Sequence, residues 1–540
     1  MKNPYIAQMG VVLFLVGVVG CLYWYSQTRV FRLDHFFTKE ATSFIEIRDF
    51  EQIKETDYPG TRLLVSGYLQ KDLHLSNPID LESWAIKKMA LATFPGENKI
   101  WAFHGVKSSI IKPWMDSFLL EDEKFQVIKY NEGQLFMPSF SSSLGFGISG
   151  NWFFVSTDQE LLKAQFRSES KLSQNPQYKK LFKDLPSRGS ISAFFDTQAL
   201  IKSLSNDPRH IHKKPIFEAL SGSFTALGVS GKKKDGHLTF YTKMLVHEGV
   251  FHKEYLKKQK GIIPELASFV SQDGLFFMTG YDLYEKFQHS KTFLSTLNDQ
   301  FEVIFEGVLR AKSQELFGSD FDFDKDFLSH MHGQYGVWVD TASEGPGGLQ
   351  YVFFTGFGGA DKEQSLSHLR EAIQYAQSRF VSEVQVVELP DGTSREELVS
   401  VKPGDIPIRK VETSFGPYYT FERPADGKTF TFGFFNGSLV FSTSRDSLEK
   451  IVSVLDGKTT SLSENDDFRE SVLFRYGPSE SYGFINTSKI DKLYALISDG
   501  SSSSMMWDVF SVFKQDVRNI SFARRVYPEE IFMTFTFFGR

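Results

Sequence analysis

One local pattern occurs twice in the chain, and any fold has to house both copies. Residues 150–164 read GNWFFVSTDQELLKA and residues 437–451 read GSLVFSTSRDSLEKI, an offset of 287. After a three-residue insertion the offset becomes 290, and residues 172–200 align with residues 462–490. Identities are 4 of 15 in the first stretch and 5 of 29 in the second, so the shared order of residue types carries the comparison. In each copy a turn glycine leads into a short β-rich run. A Ser/Thr cap and a helix with apolar residues on one face follow. Thr157 and Glu160 have capping-box spacing, whereas Ser444 takes the same place without the glutamate. Next comes a Leu-Ser-x-Asn segment, with Tyr178 or Phe468 as an aromatic anchor. A second strand over 191–195 or 482–485 ends at Asp196-Thr197 or Asn486-Thr487, both fit to cap a helix. Each copy then closes with two strands: 224–230 with 237–246, and 520–526 with 531–538.

These repeats predict two related units, 41–250 and 262–540, joined by the basic polar stretch 252–260 and preceded by an N-terminal segment 1–30. A chain of 540 residues exceeds what one hydrophobic core organises. With 41% hydrophobic and 23% charged residues, most of it folds in water, which excludes a disordered chain and a polytopic membrane protein. Phe alone accounts for 55 residues, each burying a large apolar area without a polar handle, as β-rich cores require. Long helices are expected over 282–317 and 361–380, and a hairpin pairs 333–340 with 349–355. The expected class is α+β: two tandem related units with antiparallel sheets flanked by helices, behind one transmembrane helix.

That helix is read from the first thirty residues. No charge lies between Lys2 and Arg29, and residues 9–25 read MGVVLFLVGVVGCLYWY. From Ile6 to Tyr25 there are 20 residues, which at about 1.5 Å each span a hydrocarbon layer of roughly 30 Å. Met9, Val12, Phe14, Val16, Val19 and Leu22 make the run apolar all round, while Trp24 and Tyr25 suit the headgroup region. Val18-Val19-Gly20-Cys21 also fits a bacterial lipobox, in which Cys21 would carry the lipid; the apolar Leu22-Tyr23-Trp24-Tyr25 that follows favours an uncleaved anchor. A cleaved signal or a buried helix is the remaining alternative. The expected location is a bacterial inner membrane, single-pass, with the bulk of the chain periplasmic or otherwise extracytoplasmic.

No cysteine occurs in the 519 residues after Cys21, so disulfides, thiolate nucleophiles and Cys-ligated metal sites are excluded there. Sixty basic against 66 acidic residues leave a net charge of -6, which provides no global positive field for nucleic acid. Gly145-Phe146-Gly147-Ile148-Ser149-Gly150 matches G-x-G-x-x-G, but a strand follows it where a dinucleotide site needs a helix. Gly356-Phe357-Gly358-Gly359 precedes a helix yet lacks the P-loop lysine and hydroxyl. Asp320, Asp322, Asp324 and Asp326 resemble a calcium loop, but Lys325 and Met331 occupy the obligatory glycine and glutamate positions. The acids read instead as a helix entry. His330 and His332 are spaced for a strand, not a helix, if they were to share a metal; His210 and His212 belong to a basic surface loop. No nucleophile elbow, H-E-x-x-H helix or Walker lysine is present.

The run from Gly437 through Ser444, the segment Leu462-Ser463-Glu464-Asn465 with Phe468, and the 318–327 helix entry followed by His332-Gly333 resemble an uncharacterised family of bacterial membrane-anchored proteins. That family carries a domain of unknown function in one or two copies. The resemblance implies an extracytoplasmic protein with no known reaction and no catalytic residues to transfer. The expected function is a non-enzymatic binding or scaffold protein of the cell envelope, with an envelope protein as partner and no cofactor or metal. Two further readings are a carrier of lipid or another hydrophobic ligand between Phe-rich sheets, and a hydrolase with a noncontiguous site.

Overall fold

The computed structural model describes residues 34–539 except 35, 49–85, 118–123, 131–132, 140–143, 187–188, 207–213, 235, 252, 259–260, 263, 298, 318–321, 342–347, 358–361, 379–381, 391, 423–428, 474–478 and 491–516. In chain order the strands are β1 (Ser43–Ile47), β2 (Lys88–Thr93), β3 (Lys99–His104), β4 (Phe125–Tyr130), β5 (Gly133–Pro138), β6 (Gly145–Ser149), β7 (Trp152–Ser156), β8 (Ile191–Asp196), β9 (Phe224–Lys234), β10 (His237–Val246) and β11 (Phe276–Tyr281). They continue as β12 (Gln334–Thr341), β13 (Leu349–Gly356), β14 (Ser382–Glu388), β15 (Ser394–Ser400), β16 (Arg409–Val411), β17 (Tyr418–Glu422), β18 (Thr429–Phe435), β19 (Ser438–Ser442), β20 (Ser481–Asn486), β21 (Val517–Tyr527) and β22 (Glu530–Gly539). The class is α+β with extensive antiparallel pairing, as the sequence predicts.

The chain forms two compact units. The first holds the chain up to Glu248 together with Tyr494–Ile520 and Glu529–Arg540, and its strands run in the order β4-β5-β6-β7-β3-β2-β1-β8-β9-β10-β22, every pair antiparallel. The period of two explains why its central strands are buried throughout. On β3, Ile100 and Ala102 enter one core while Trp101 and Phe103 enter the other; on β7, Trp152 and Phe154 separate in the same way from Phe153 and Val155. One face is covered by Leu162 and Phe166 of the helix Gln159–Arg167 and by Tyr178 and Leu181 of Pro176–Phe182. The opposite face is covered by Ile111 and Met115 of the helix Ser108–Asp116.

The second unit spans Gly249–Leu493 with Ser521–Pro528, and its strands run β16-β17-β18-β19-β13-β12-β11-β20, again all antiparallel. Beyond β20 the backbone N–H of Glu480 donates to the carbonyl of Arg524 at 2.9 Å. Phe277, Trp338, Phe354, Val440 and Phe484 pack with Leu448 and Ile451 of the helix Arg445–Leu455 and with Phe468 of Asp466–Leu473. On the other face Phe432, Phe434 and Leu439 meet Leu369 of the helix Lys362–Ser378.

The Leu-Ser-x-Asn segments have a local physical cause. Leu172 and Leu462 are buried, and their N–H groups donate to the carbonyls of Phe37 and Val270 at 2.7 and 2.8 Å. The side chain of Asn175 then accepts from the N–H groups of Gln177 and Tyr178, and that of Asn465 from Phe468, starting the next helix in each case. Pro176 at the first helical position loses no intrahelical bond. Tyr178 and Phe468 are buried as anchors.

Several expectations change in detail. The cap of the helix Gln159–Arg167 is Asp158, whose Oδ1 accepts from Glu160 and Leu161 at 2.9 and 3.1 Å. Thr157 is not free to cap, because its Oγ1 accepts from the Lys99 N–H at the end of β3. Ser444 does sit at the N-cap of its helix, but makes no side-chain cap bond, and the Arg445 N–H donates to Thr429 instead. The long helix expected over 282–317 is two helices, Leu283–Leu297 and Asp299–Phe317. The terminal strand, expected with the rest of 262–540 in the second unit, belongs to the first, because β22 pairs with β10 from Leu245↔Glu530 to His237↔Phe538. Asp158→Ala is expected to cost about 1 kcal/mol of the first unit's stability. Thr157→Ala should cost no more than that, and a urea titration of both variants checks the order.

Candidate interaction surface

Among the described residues, four clusters of buried charge join elements of the two units. In the first unit Lys243 on β10 is fully buried, with its Nζ 2.6 Å from Asp184 and 3.0 Å from Glu530. It also donates to the Lys180 carbonyl at 3.1 Å, so it ties β22 to the segment after the helix Pro176–Phe182. Asp184 is held below the usual carboxylate range by the hydrogen bond from Lys243. Glu46 on β1 accepts from Ser192 Oγ at 2.7 Å and pairs with Arg48; burial pushes its carboxyl up, against the pull of Arg48.

The second unit has two such clusters. Asp340 accepts from Lys450 Nζ, Lys489 Nζ and the Thr341 N–H at 2.5, 2.9 and 2.8 Å. Burial pushes its carboxyl up, but the two ammonium groups outweigh that and hold it below the usual range. Glu480 is buried with Arg524 Nε at 3.3 Å and Lys286 Nζ at 3.9 Å. The phenol of Tyr255 is pushed up by burial and by the Glu480 carboxylate, and its ring stacks on His289 with centroids 3.9 Å apart. Tyr255, Tyr335 and Tyr482 are all buried.

The motif residues read from the sequence take structural places. Gly145 and Gly147 lie on β6, where a Cβ on Gly147 would stand 3.2 Å from Leu135 and Phe166. Gly150 turns with φ +55 into β7. Asp322 caps the turn Phe323–Phe327 by accepting from Asp324 and Lys325, and these bonds hold its carboxyl below the usual range. Asp324 accepts from Gln288 at 3.0 and 3.1 Å. His332 lies 3.7 Å from Asp282, while the His330 ring lies tilted beside that of Phe357 with centroids 5.4 Å apart, so the two histidines face different neighbours. Among the described residues no group of three or more His, Cys, Asp or Glu is placed to hold a metal. His210, His212, Asp320 and Phe321 lie outside the described residues, as do the anchor positions Met9, Val12, Phe14, Val16, Val19, Leu22, Trp24 and Tyr25 and the lipidation candidate Cys21. Among the described residues no helix is long and apolar enough to cross a membrane.

What the folded surface does offer is a set of exposed aliphatic residues on two segments of the second unit. The first segment lies between β11 and β12, where Val303, Ile304 and Val308 of the helix Asp299–Phe317 are exposed. The second lies between β13 and β16. It contains the helix Lys362–Ser378, with Tyr375 exposed, and the hairpin β14–β15, a two-stranded sheet of its own. Val384 is 59%, Val386 63% and Leu398 77% exposed. The hairpin's turn is set by the Leu389 N–H donating to Thr393 at 2.7 Å and by Gly392 at φ +82. Farther out along the chain Gln374 Nε2, on the helix Lys362–Ser378, donates to the carbonyl of Ile406 at 2.9 Å, Ile406 itself being buried. Sequence reading missed this hairpin, although Pro390-Asp391-Gly392 between two alternating runs is a turn signal.

No protein-family model and no curated protein matches the chain. Among solved structures it is similar in part to three crystal forms of TP0453. Form I has a TM-score of 0.26 at 10% identity, covering 41% of this chain and 81% of that one. Form III has 0.24 at 8%, covering 42% and 83%, and form IV has 0.24 at 9%, covering 41% and 82%. Scores and identities of this size do not establish a shared fold.

Proposed function

We propose that this chain is a membrane-anchored, extracytoplasmic binding or scaffold protein, built from two related α+β units and engaging a partner through exposed segments of the second. The anchor rests on the charge-free run between Lys2 and Arg29. Relatedness of the units is supported by strand order: β4-β5-β6-β7-β3-β2-β1-β8 in one and β16-β17-β18-β19-β13-β12-β11-β20 in the other. The paired Leu-Ser-x-Asn caps support it as well.

The observation that carries the binding role is where the apolar surface lies. Between β3 and β4 the first unit has residues 105–124, whereas between β13 and β16 the second has residues 357–408, which contain the hairpin β14–β15. Eight of the twelve large exposed hydrophobic residues, among the described residues, fall on this stretch or on the helix Asp299–Phe317. Scattered single apolar residues are ordinary on a surface, but a cluster on an inserted element marks an interaction site.

A photo-reactive residue placed at Leu398 or Ile304 in intact cells is expected to yield a reproducible adduct with one protein. Adducts from neither position would overturn the reading. Removing residues 1–28 is expected to move the chain from the membrane fraction into solution; persistence at the membrane would remove the anchor from the proposal.

A further inference from the structure

We infer that the Val384–Val386–Leu398 face of the hairpin β14–β15 docks a partner protein's amphipathic segment whose apolar stripe is bordered by lysine or arginine, an inference that rests on the binding reading above. In an antiparallel pair, residues opposite each other share a face. The register Val384↔Leu398, Val386↔Glu396 and Glu388↔Ser394 therefore puts three aliphatic side chains and two carboxylates on one side. The register Glu383↔Val399, Gln385↔Glu397 and Val387↔Arg395 defines the other.

The two faces differ in how their charge is satisfied. On the second face Arg395 pairs with Glu397 and Gln385 donates to Glu383 at 2.7 Å. On the first face Glu388 and Glu396 make no ion pair among the described residues, so two carboxylates border three exposed aliphatics. Neither strand pairs with a third among the described residues. Such a hairpin is marginal in water, so burying its aliphatic face stabilises it as well as the complex.

Charge chooses among the possible occupants. A second copy presenting the same face would bring two more carboxylates and no cation to Glu388 and Glu396, and like charges brought together are destabilising. An anionic lipid surface would meet the same carboxylates with repulsion. A segment with an apolar stripe and cationic borders buries the aliphatics and pairs the free carboxylates together, which gives both area and steering.

The test uses the chain lacking residues 1–28, or the full chain in detergent if the shortened one does not express. A synthetic peptide with a valine stripe flanked by lysines is titrated against it beside the glutamate-flanked counterpart, with fluorescence anisotropy as readout. The lysine peptide is expected to bind at least about tenfold tighter, with the gap closing at high salt. Val384→Thr with Leu398→Thr should weaken it by about tenfold, and Glu388→Lys with Glu396→Lys should reverse the preference. All four side chains are exposed, so unchanged circular dichroism and unfolding midpoints certify the variants. Lysine-peptide binding that ignores these substitutions, or no binding at all, overturns the inference. So does a concentration-dependent dimer or binding to anionic vesicles that the Thr variant abolishes, since each names another occupant. Cellular adducts at Leu398 that persist alongside any of these results leave the binding reading standing and remove only the partner's chemistry.

Discussion

Trp101→Ala is expected to lower the stability of the first unit by about 3–5 kcal/mol, the range for truncating a fully buried aromatic residue. Trp101 is wholly buried at the middle of β3, paired in register with Leu91 on β2 and Val155 on β7. Its ring stacks with that of Phe103 at 6.4 Å, and Met89, Ile111 and Phe153 belong to the same core. Strands on both sides fix the backbone, so the cavity left by alanine has little room to collapse. Trp101→Phe should be far milder, at about 1.5 kcal/mol or less. Among the described residues the indole Nε1–H has no hydrogen-bond acceptor, and an unmet buried donor costs about 1–3 kcal/mol that phenylalanine does not incur. Urea titrations of the two variants measure the difference. If alanine proves as mild as phenylalanine, the two-faced packing of β3 is wrong.

Asp340→Ala is expected to destabilise the second unit by about 2–3 kcal/mol, in line with the loss of hydrogen bonds to charged groups. It removes the acceptor shared by Lys450 on the helix Arg445–Leu455 and Lys489 beyond β20, and so releases two elements from the end of β12. The same residue sets an acid response. Its carboxyl is held below the ordinary aspartate value, so the folded state binds that proton less readily than the unfolded chain does. The contribution is therefore complete above the ordinary value of about 3.9 and is lost as pH falls through the lower folded value. Asp340→Asn should flatten this limb of the curve of urea midpoint against pH. Glu46 has the opposite sign: burial raises its carboxyl, so its contribution is present below the ordinary value and lost as pH rises through the folded one. A D340N protein as acid-sensitive as the parent would remove Asp340 as the cause.

Much of the strand grammar was legible without coordinates. The β7 and β19 runs, the strands β8 and β20, and the hairpin β9–β10 all fall within a few residues of their expected places. Alternation and turn residues are local signals, and local signals survive folding. Caps were legible only where no other partner competed. Asp196 and Asn486 accept from the N–H groups of Ala199 and Ser488 just after them, but Thr157 is claimed by Lys99 from a strand more than fifty residues earlier, and the caps at Asn175 and Asn465 went unread. The hairpin β14–β15 was missed because its runs are acidic and without a buried face, so the apolar alternation that marks a core strand is weak.

From the sequence alone come the segments that become strands and helices, the doubled order of those segments and the greasy N-terminal run, because each is written in residues adjacent along the chain. The tertiary structure alone decided which strands lie side by side and which polar groups meet. Thr239 faces Thr536 across the β10–β22 ladder, and Lys243 meets Asp184 and Glu530. Hydrogen-bond ladders and ion pairs join groups from tens to hundreds of residues apart, and no local pattern specifies such a partner. The exposed hairpin face was decided in the same way, since an aliphatic side chain becomes surface only when no neighbouring element covers it.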